Sequence, residues 1–169
     1  MNEAVSARVF LGVPAIITAP QQPYLDQWLG WLADQSLDVV RLERGAYGPD
    51  PWLRLTGLLS EVDGVVLLGF RQLDARAAVW RPSTDEEVPA PGWWTSPWLH
   101  VEAGIAVGLG LPVLAAPDDR VSEGVFSPDA WSSGVLGTAL SSPGAARAEW
   151  LELARERRRL RLRHRDDGY

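Results

Sequence analysis

The segment Gly-Val-Val-Leu-Leu-Gly-Phe, at residues 64–70, contains no charged side chain and is flanked by Asp63 and Arg71. An apolar run of this length between polar residues predicts a strand that is buried on both faces. Such strands are typical of parallel sheets that carry helices on both sides. The segment therefore favours an α/β protein.

The sequence before this segment alternates between strand and helix patterns. A β-branched and apolar run broken by Gly12 and Pro14 predicts a strand that ends in a tight turn. Helical spacing of apolar residues then occurs twice, separated by a short strand pattern. The predicted elements are a strand over residues 8–17, a helix over 23–35, a strand over 38–42 and a helix over 51–62.

After Phe70, residues 71–95 show no periodicity, and a segment of this length in a compact domain usually marks a functional lid or a disordered insert. Ser96 then predicts a helix N-cap with Pro97 at the first helical position. This helix is expected to run to about Leu109 and to end at Gly110. A strand over 112–116 and a C-terminal helix within 143–169 complete the pattern.

Helices that alternate with buried strands predict a single-domain, doubly wound parallel sheet of the flavodoxin or Rossmann type, with helices on both faces. We expect residues 1–142 to form this domain, with 71–95 as a lid-like loop. Residues 143–169 are expected to form an arginine-rich helix or tail. In such sheets, ligands bind at the carboxyl ends of the strands.

The composition of the 169 residues excludes several chemistries. Cysteine is absent and the chain has only two histidines, so a structural zinc site is not expected. All sixteen basic residues are arginine, which removes Schiff-base chemistry and the lysine of a phosphate-binding P-loop. We therefore expect no metal and no cofactor.

The net charge of −6 is unevenly distributed. Residues 1–146 carry 8 arginines and 17 acids, giving −9, whereas residues 147–169 carry 8 arginines and 5 acids, giving +3. The acidic body argues against a nucleic-acid partner. For the C-terminal arginines, binding of nucleic acid or of an acidic partner stays open, but a solvated helix end is favoured.

The N-terminal residues show no secretion-signal pattern, so a cytoplasmic location is expected. The longest apolar stretch is interrupted by His100, Glu102 and Pro112, and a membrane span is therefore not expected.

Glu102 is the only acidic residue in an apolar run that continues to Pro117. A carboxylate in such a run either faces a polar cleft or has its pKa raised by desolvation. Glu102 is therefore the first candidate for chemistry. The alternative is a buried ion pair with an arginine such as Arg71 or Arg41.

The motif Ser-Pro-Trp-Leu-His-Val-Glu-Ala-Gly at residues 96–104, together with the strand 9–14, resembles the nucleoside 2-deoxyribosyltransferase superfamily. The nearest branch comprises nucleoside 5′-monophosphate N-glycosidases, whose helix begins Ser-x-Gly-Thr-His-Val-Glu-x-Gly. The resemblance implies that Glu102 is the nucleophile and that a small nucleotide or nucleoside is the substrate. It implies substrate-binding roles for Ser96, His100, Gly12 and Pro14. This chain has Trp98-Leu99 where that branch has Gly-Thr.

By helical geometry alone, His100 points to a different face of the helix than Glu102, which favours a packed histidine. The amides at the start of the same helix predict an anion site that would involve Leu99 and His100.

A looser resemblance links the buried glutamate before the Gly-Leu-Pro-Val-Leu strand to TIR-related domains. Some members of both groups are inactive sensors or interaction modules, so a catalytically silent nucleotide-binding or partner-binding module is the alternative function. An active enzyme predicts that Glu102 is open to a pocket, whereas a silent module predicts a closed, ion-paired Glu102.

The chain has nine tryptophans, more than a small core readily buries. The resemblance also implies a neighbouring subunit that closes the crevice, so a homodimer is expected. The apolar residues predicted for such a contact are Trp28, Trp31, Trp150, Leu151 and Leu160.

Overall fold

The computed structural model describes residues 6–42, 50–132, 134–141 and 144–166. These residues form nine strands and four α-helices. In chain order they are β1 (Arg8–Gly12), α1 (Gln22–Asp34), β2 (Asp38–Val40), α2 (Pro51–Ser60), β3 (Gly64–Gly69), β4 (Leu73–Ala75), β5 (Val79–Trp80), β6 (Val88–Pro89), β7 (Gly92–Trp94), α3 (Pro97–Gly108), β8 (Val113–Pro117), β9 (Val135–Gly137) and α4 (Ala145–Asp166).

Five of these strands form one parallel sheet in the order β2-β1-β3-β8-β9. From β1 the chain first moves outward to β2 and then crosses back to β3 on the other side. The point between β1 and β3 where the direction reverses is the topological switch point of a flavodoxin-like sheet. The predicted doubly wound α/β fold is confirmed.

The sheet is covered on both faces. On one face, α1 and α4 bury Trp28 and Trp150 against the sheet, and both side chains are fully enclosed. On the other face, α2 and α3 bury Leu55 and Leu99. All six residues of β3 are buried, because this central strand has helices above and below it.

Residues 71–95 are folded, although their sequence shows no periodicity. Strands β4 and β7 pair antiparallel, and β5 and β6 pair antiparallel between them, so the segment forms a narrow two-part arm. Arg71 holds the base of the arm by an ion pair with Asp118 at 2.9 Å and by stacking over Trp93. Strands of two or three residues are too short to show a hydrophobic period in the sequence.

Helix α4 is part of the domain, because its Trp150 and Ala154 belong to the buried core. The predicted boundary between residues 142 and 143 lies outside the described residues. None of the helices in the described ranges is long and apolar enough to cross a membrane.

The favoured interpretation of the C-terminal arginines as a solvated helix end is wrong for three of them. Arg155, Arg157 and Arg161 reach back to the body and donate to backbone carbonyls where α1, α3 and α2 end. The acceptors are the carbonyl oxygens of Gln35, Leu109, Gly110, Glu61 and Val62. We call these three residues the arginine brace, because they satisfy carbonyl groups that a helix leaves without partners.

The predicted set of dimer-contact residues also needs correction. Trp28, Trp150 and Leu151 are buried within the chain itself and are not available to a partner. Trp31 packs partly against the same core, and only Leu160 of this set is well exposed.

Candidate functional site

A cavity of about 530 Å³ lies at the carboxyl ends of β1 and β2, beside the start of α3. This is the edge of the sheet at which the fold predicts a ligand site. The lining residues are Phe10, Leu11, Gly12, Val13, Pro14, Ala15, Ile16, Arg41, Leu42, Ser96, Trp98 and Glu102.

Helix α3 positions the glutamate. Ser96 has the extended backbone of an N-cap residue, Pro97 begins the helix, and Gly110 follows its end in the left-handed region at φ 65°. These are the stop and start signals that the sequence predicted. Glu102 lies on the buried side of the helix, together with Leu99, Ala103 and Ala106.

Glu102 itself is only 4% exposed, and its Oε2 atom is buried without a hydrogen-bond partner among the described residues. Oε2 lies against Gly12 at the end of β1, where an added Cβ would overlap with it. Glu102 is also one of the residues that line the cavity. No ion pair of Glu102 occurs within the described residues, so the predicted alternative of a partner in Arg71 or Arg41 has no support.

Burial without a compensating charge raises the pKa of Glu102 from 4.5 to about 8. The free carboxyl group is therefore mainly protonated at neutral pH. A raised pKa in a cleft is typical of groups that take part in catalysis.

Ser96 lines the cavity with a side chain that is 8% exposed and makes no capping hydrogen bond. The amide of Leu99, which was expected to help bind an anion, already donates to the carbonyl oxygen of Ser96 at 3.1 Å. Ser96 and Glu102 thus share one cavity with Gly12 and Pro14, but the helix start offers one amide fewer than predicted.

His100 is not brought to this cavity. Its ring packs edge-on against Phe126, with a centroid distance of 5.5 Å, and its buried Nδ1 lies against Gly124. Desolvation lowers the pKa of His100, although the nearby Glu123 opposes this shift. His100 lines a separate cavity of about 320 Å³ beneath the arm.

Arg41 lines the cavity, although the sequence pattern indicated it only as a possible ion-pair partner of Glu102. It is the only basic side chain among the lining residues, and it follows the last residue of β2 directly. Its position directly after β2, a strand whose carboxyl end lies at the ligand-binding edge of the sheet beside β1, is the signal that identifies such a residue. Arg71, in contrast, is engaged with Asp118.

Within the described ranges, no three side chains among the histidines and acids come together in a way that could hold a metal ion. From the described residues, the cavity has one carboxyl group, one guanidinium group and one hydroxyl group among its lining side chains. This set can bind an anionic, hydroxyl-bearing ligand and can act on it through the carboxyl group.

The fold and the cavity define a doubly wound α/β protein with a buried carboxyl group at the switch point. No protein-family model matches the chain. No curated protein matches it either.

Two solved structures that are similar to this chain have low sequence identity to it. A conserved protein from Enterococcus faecalis is 13% identical, with a TM-score of 0.51, and the match covers 90% of this chain and 99% of that one. The Clostridium botulinum CMP N-glycosidase BcmB is 15% identical, with a TM-score of 0.46, over 86% of this chain and 96% of that one. The likeness to the Enterococcus faecalis protein concerns the fold alone.

Proposed function

We propose that this protein cleaves the N-glycosidic bond of a nucleoside or nucleotide, with Glu102 as the nucleophile. The observation that carries the proposal is the position of Glu102, a nearly buried carboxyl group without an ion-pair partner in the described residues, at a cavity of about 530 Å³. The motif at residues 96–104, which resembles that of N-glycosidases, supports the same role.

The proposed reaction has two steps. In the first, the ionised form of Glu102, which a pKa of about 8 makes the minor form at neutral pH, attacks the anomeric carbon and forms an ester bond. The carbon–nitrogen bond breaks, and its electron pair leaves with the base, which takes up a proton. In the second, water attacks the anomeric carbon, the carboxylate leaves and a proton is released. A second base in place of water would give transfer instead of hydrolysis.

Charge in the cavity favours a phosphorylated substrate. Arg41 and Ser96 line the same cavity as Glu102, and a guanidinium group binds phosphate more strongly than it binds a neutral sugar. Nucleoside 5′-monophosphates should therefore bind more tightly than nucleosides. Equal affinities for nucleosides and their 5′-monophosphates, measured by calorimetry at fixed salt, would show that the cavity does not recognise the phosphate group.

The alternative of a silent module predicts a closed, ion-paired Glu102. The open cavity and the lack of an ion pair in the described residues support an enzyme instead. The resemblance to TIR-related domains stays a prediction, which NAD in the substrate panel tests.

The decisive experiment is incubation of the purified protein with nucleosides, their 5′-monophosphates and NAD, followed by chromatography for free base. Glu102→Gln should reduce base release by at least about a thousandfold, because the nucleophile is lost. Glu149→Gln, at an exposed position of α4, is the matched control and should keep wild-type turnover. Full turnover in Glu102→Gln, or no free base from any substrate, would contradict the proposal.

A homodimer remains part of the proposed function. Exposed apolar side chains surround the crevice mouth: Ile16 is 66% exposed, and Trp52, which is 56% exposed, stacks on the cavity residue Trp98. A partner that covers this rim would shield the crevice from bulk solvent. Light scattering at high micromolar concentration should show a dimer, and a monomer would refute this part.

A further inference from the structure

The arginines of α4, including those of the arginine brace, are not held equally tightly by the rest of the chain. Arg157 and Arg161 each donate two hydrogen bonds of 2.9–3.0 Å. Arg155 has only long contacts, at 3.5 Å to the Gln35 carbonyl and 3.6 Å to Glu152, and Arg158 lies 3.9 Å from Asp63. Arg159 is exposed and has no hydrogen bond or ion pair within the described residues.

These three weakly engaged side chains share one face of α4. Positions 155, 158, 159 and 162 are spaced as i, i+3, i+4 and i+7, which places them on a single stripe. The stripe lines a cavity of about 540 Å³ whose opposite wall is the chain leading into β1 and the turn after α1. The full lining is Ser6, Ala7, Asp34, Gln35, Ser36, Leu37, Arg155, Arg158, Arg159 and Leu162.

The charge of this cavity is strongly positive. Its lining carries three arginines and one carboxylate, that of Asp34. Arg155 and Arg158 also lie 3.6 Å and 3.9 Å from the carboxylates of Glu152 and Asp63, which are not part of the lining, whereas Arg159 has no such neighbour in the described residues. A concave site lined by one sign of charge concentrates its field on a small counter-ion. A guanidinium group also matches the geometry of phosphate, because its N–H groups can donate to two phosphate oxygens at once.

We propose that this cavity is an anion site for a small phosphorylated ligand, separate from the Glu102 crevice. The two cavities lie at opposite ends of β1, since Ala7 precedes the strand and Gly12 ends it. Five residues of strand separate them by roughly 16 Å. The ligand here is therefore not the substrate in its reactive position.

The test is calorimetry of the full chain with pyrophosphate and inorganic phosphate at constant ionic strength. Arg159→Gln and Arg155→Gln should each weaken pyrophosphate binding by about tenfold, since each removes a charge-assisted contact. Arg120→Gln, an exposed arginine in the loop after β8, makes the same charge change elsewhere and should leave the affinity unchanged. Glu102→Gln should also bind pyrophosphate like wild type, which keeps this result independent of the proposed function.

Four outcomes would overturn the proposal. One is the lack of binding at millimolar pyrophosphate. Another is equal weakening by Arg159→Gln and Arg120→Gln, which would indicate diffuse charge attraction only. The third is loss of binding in Arg41→Gln but not in Arg159→Gln, which would assign the anion to the Glu102 crevice. Tighter binding of a DNA or RNA duplex than of pyrophosphate, lost in Arg159→Gln, would assign the arginines to a nucleic-acid surface instead.

Discussion

The two ends of the parallel sheet each bury a carboxyl group, but they treat it in opposite ways. At the amino end, Asp63 is fully buried and accepts from the amide of Arg8 at 2.8 Å, with Arg161 at 3.3 Å from its Oδ1 atom. At the carboxyl end, Glu102 has a buried oxygen with no partner. A buried carboxyl group with charged partners is typical of a structural role, whereas a buried carboxyl group without a partner is typical of a functional site.

The largest effect is expected from breaking the paired end. Asp63→Ala should lower the free energy of unfolding by about 3–5 kcal/mol, because the Arg8 amide and the guanidinium groups of Arg158 and Arg161 would lose their carboxylate partner. Urea denaturation measures this change. Asp129→Ala, in an exposed loop, is the control and should be close to neutral. A decrease in the free energy of unfolding of less than about 1 kcal/mol for Asp63→Ala would show that the pairing of Asp63 does not stabilise the fold, and would contradict the difference between the two ends.

Removing the unpaired carboxyl group of Glu102 should raise the free energy of unfolding, not lower it. The pKa of Glu102 is about 8 in the folded state and near 4.5 in the unfolded chain, so the folded state holds a proton that the unfolded chain releases. Wild-type stability should therefore fall as the pH rises from 4.5 to 8, and then level off.

Glu102→Gln removes this dependence and should be more stable than wild type by a few kcal/mol above pH 8, since each pKa unit corresponds to about 1.4 kcal/mol. Denaturation at pH 5, 7 and 9 measures it. A stability difference that stays constant between pH 5 and pH 9 would show that Glu102 is not desolvated.

The third prediction concerns the contact that positions Glu102. A Cβ at Gly12 would overlap with Oε2 of Glu102 and with the Leu67 side chain, so Gly12→Ala should cost about 1–3 kcal/mol and displace the carboxyl group. Base release should fall together with stability. Gly30→Ala is the matched control, because nothing lies within 4 Å of its Cβ position in α1, and it should stabilise by up to about 1 kcal/mol.

The smallest effect is expected from the arginine brace. Arg157→Gln removes two hydrogen bonds to the end of α3 and should cost about 1 kcal/mol. Thermal unfolding at low and high salt measures the loss, which should shrink as salt increases. Arg159→Gln carries the same charge change without these bonds and should be near neutral; equal losses in the two variants would refute the brace.

The elements that the sequence predicted well are those with strong local signals. Ser96, Pro97 and Gly110 mark the ends of α3, and the isolated acid in an apolar run identified Glu102. β9 was missed because its three residues lie at the edge of the sheet and show no period. Arg41 was assigned only as an ion-pair alternative, since its place at the cavity depends on where β2 lies relative to α3.

The partners of the C-terminal arginines were also beyond sequence reasoning. Their acceptors are backbone carbonyl groups, which every residue carries and which no sequence pattern distinguishes. The charge run itself favoured a solvated helix end and left nucleic acid or an acidic partner open. Only the parallel topology, which gathers the ends of α1, α2 and α3 at one edge, selects among these.

The brace also bears on how the chain reaches its native state. Arg161 and Val62 are 99 residues apart in sequence, and Arg155 and Gln35 are 120 apart. Closing loops of this length costs entropy that is recovered only when most of the sheet is already in place. We therefore predict that the brace forms after the rate-limiting step of folding, so that Arg161→Gln accelerates unfolding and leaves the refolding rate almost unchanged. Stopped-flow folding and unfolding in urea measure the two rates, and a slower refolding rate in Arg161→Gln would contradict this prediction.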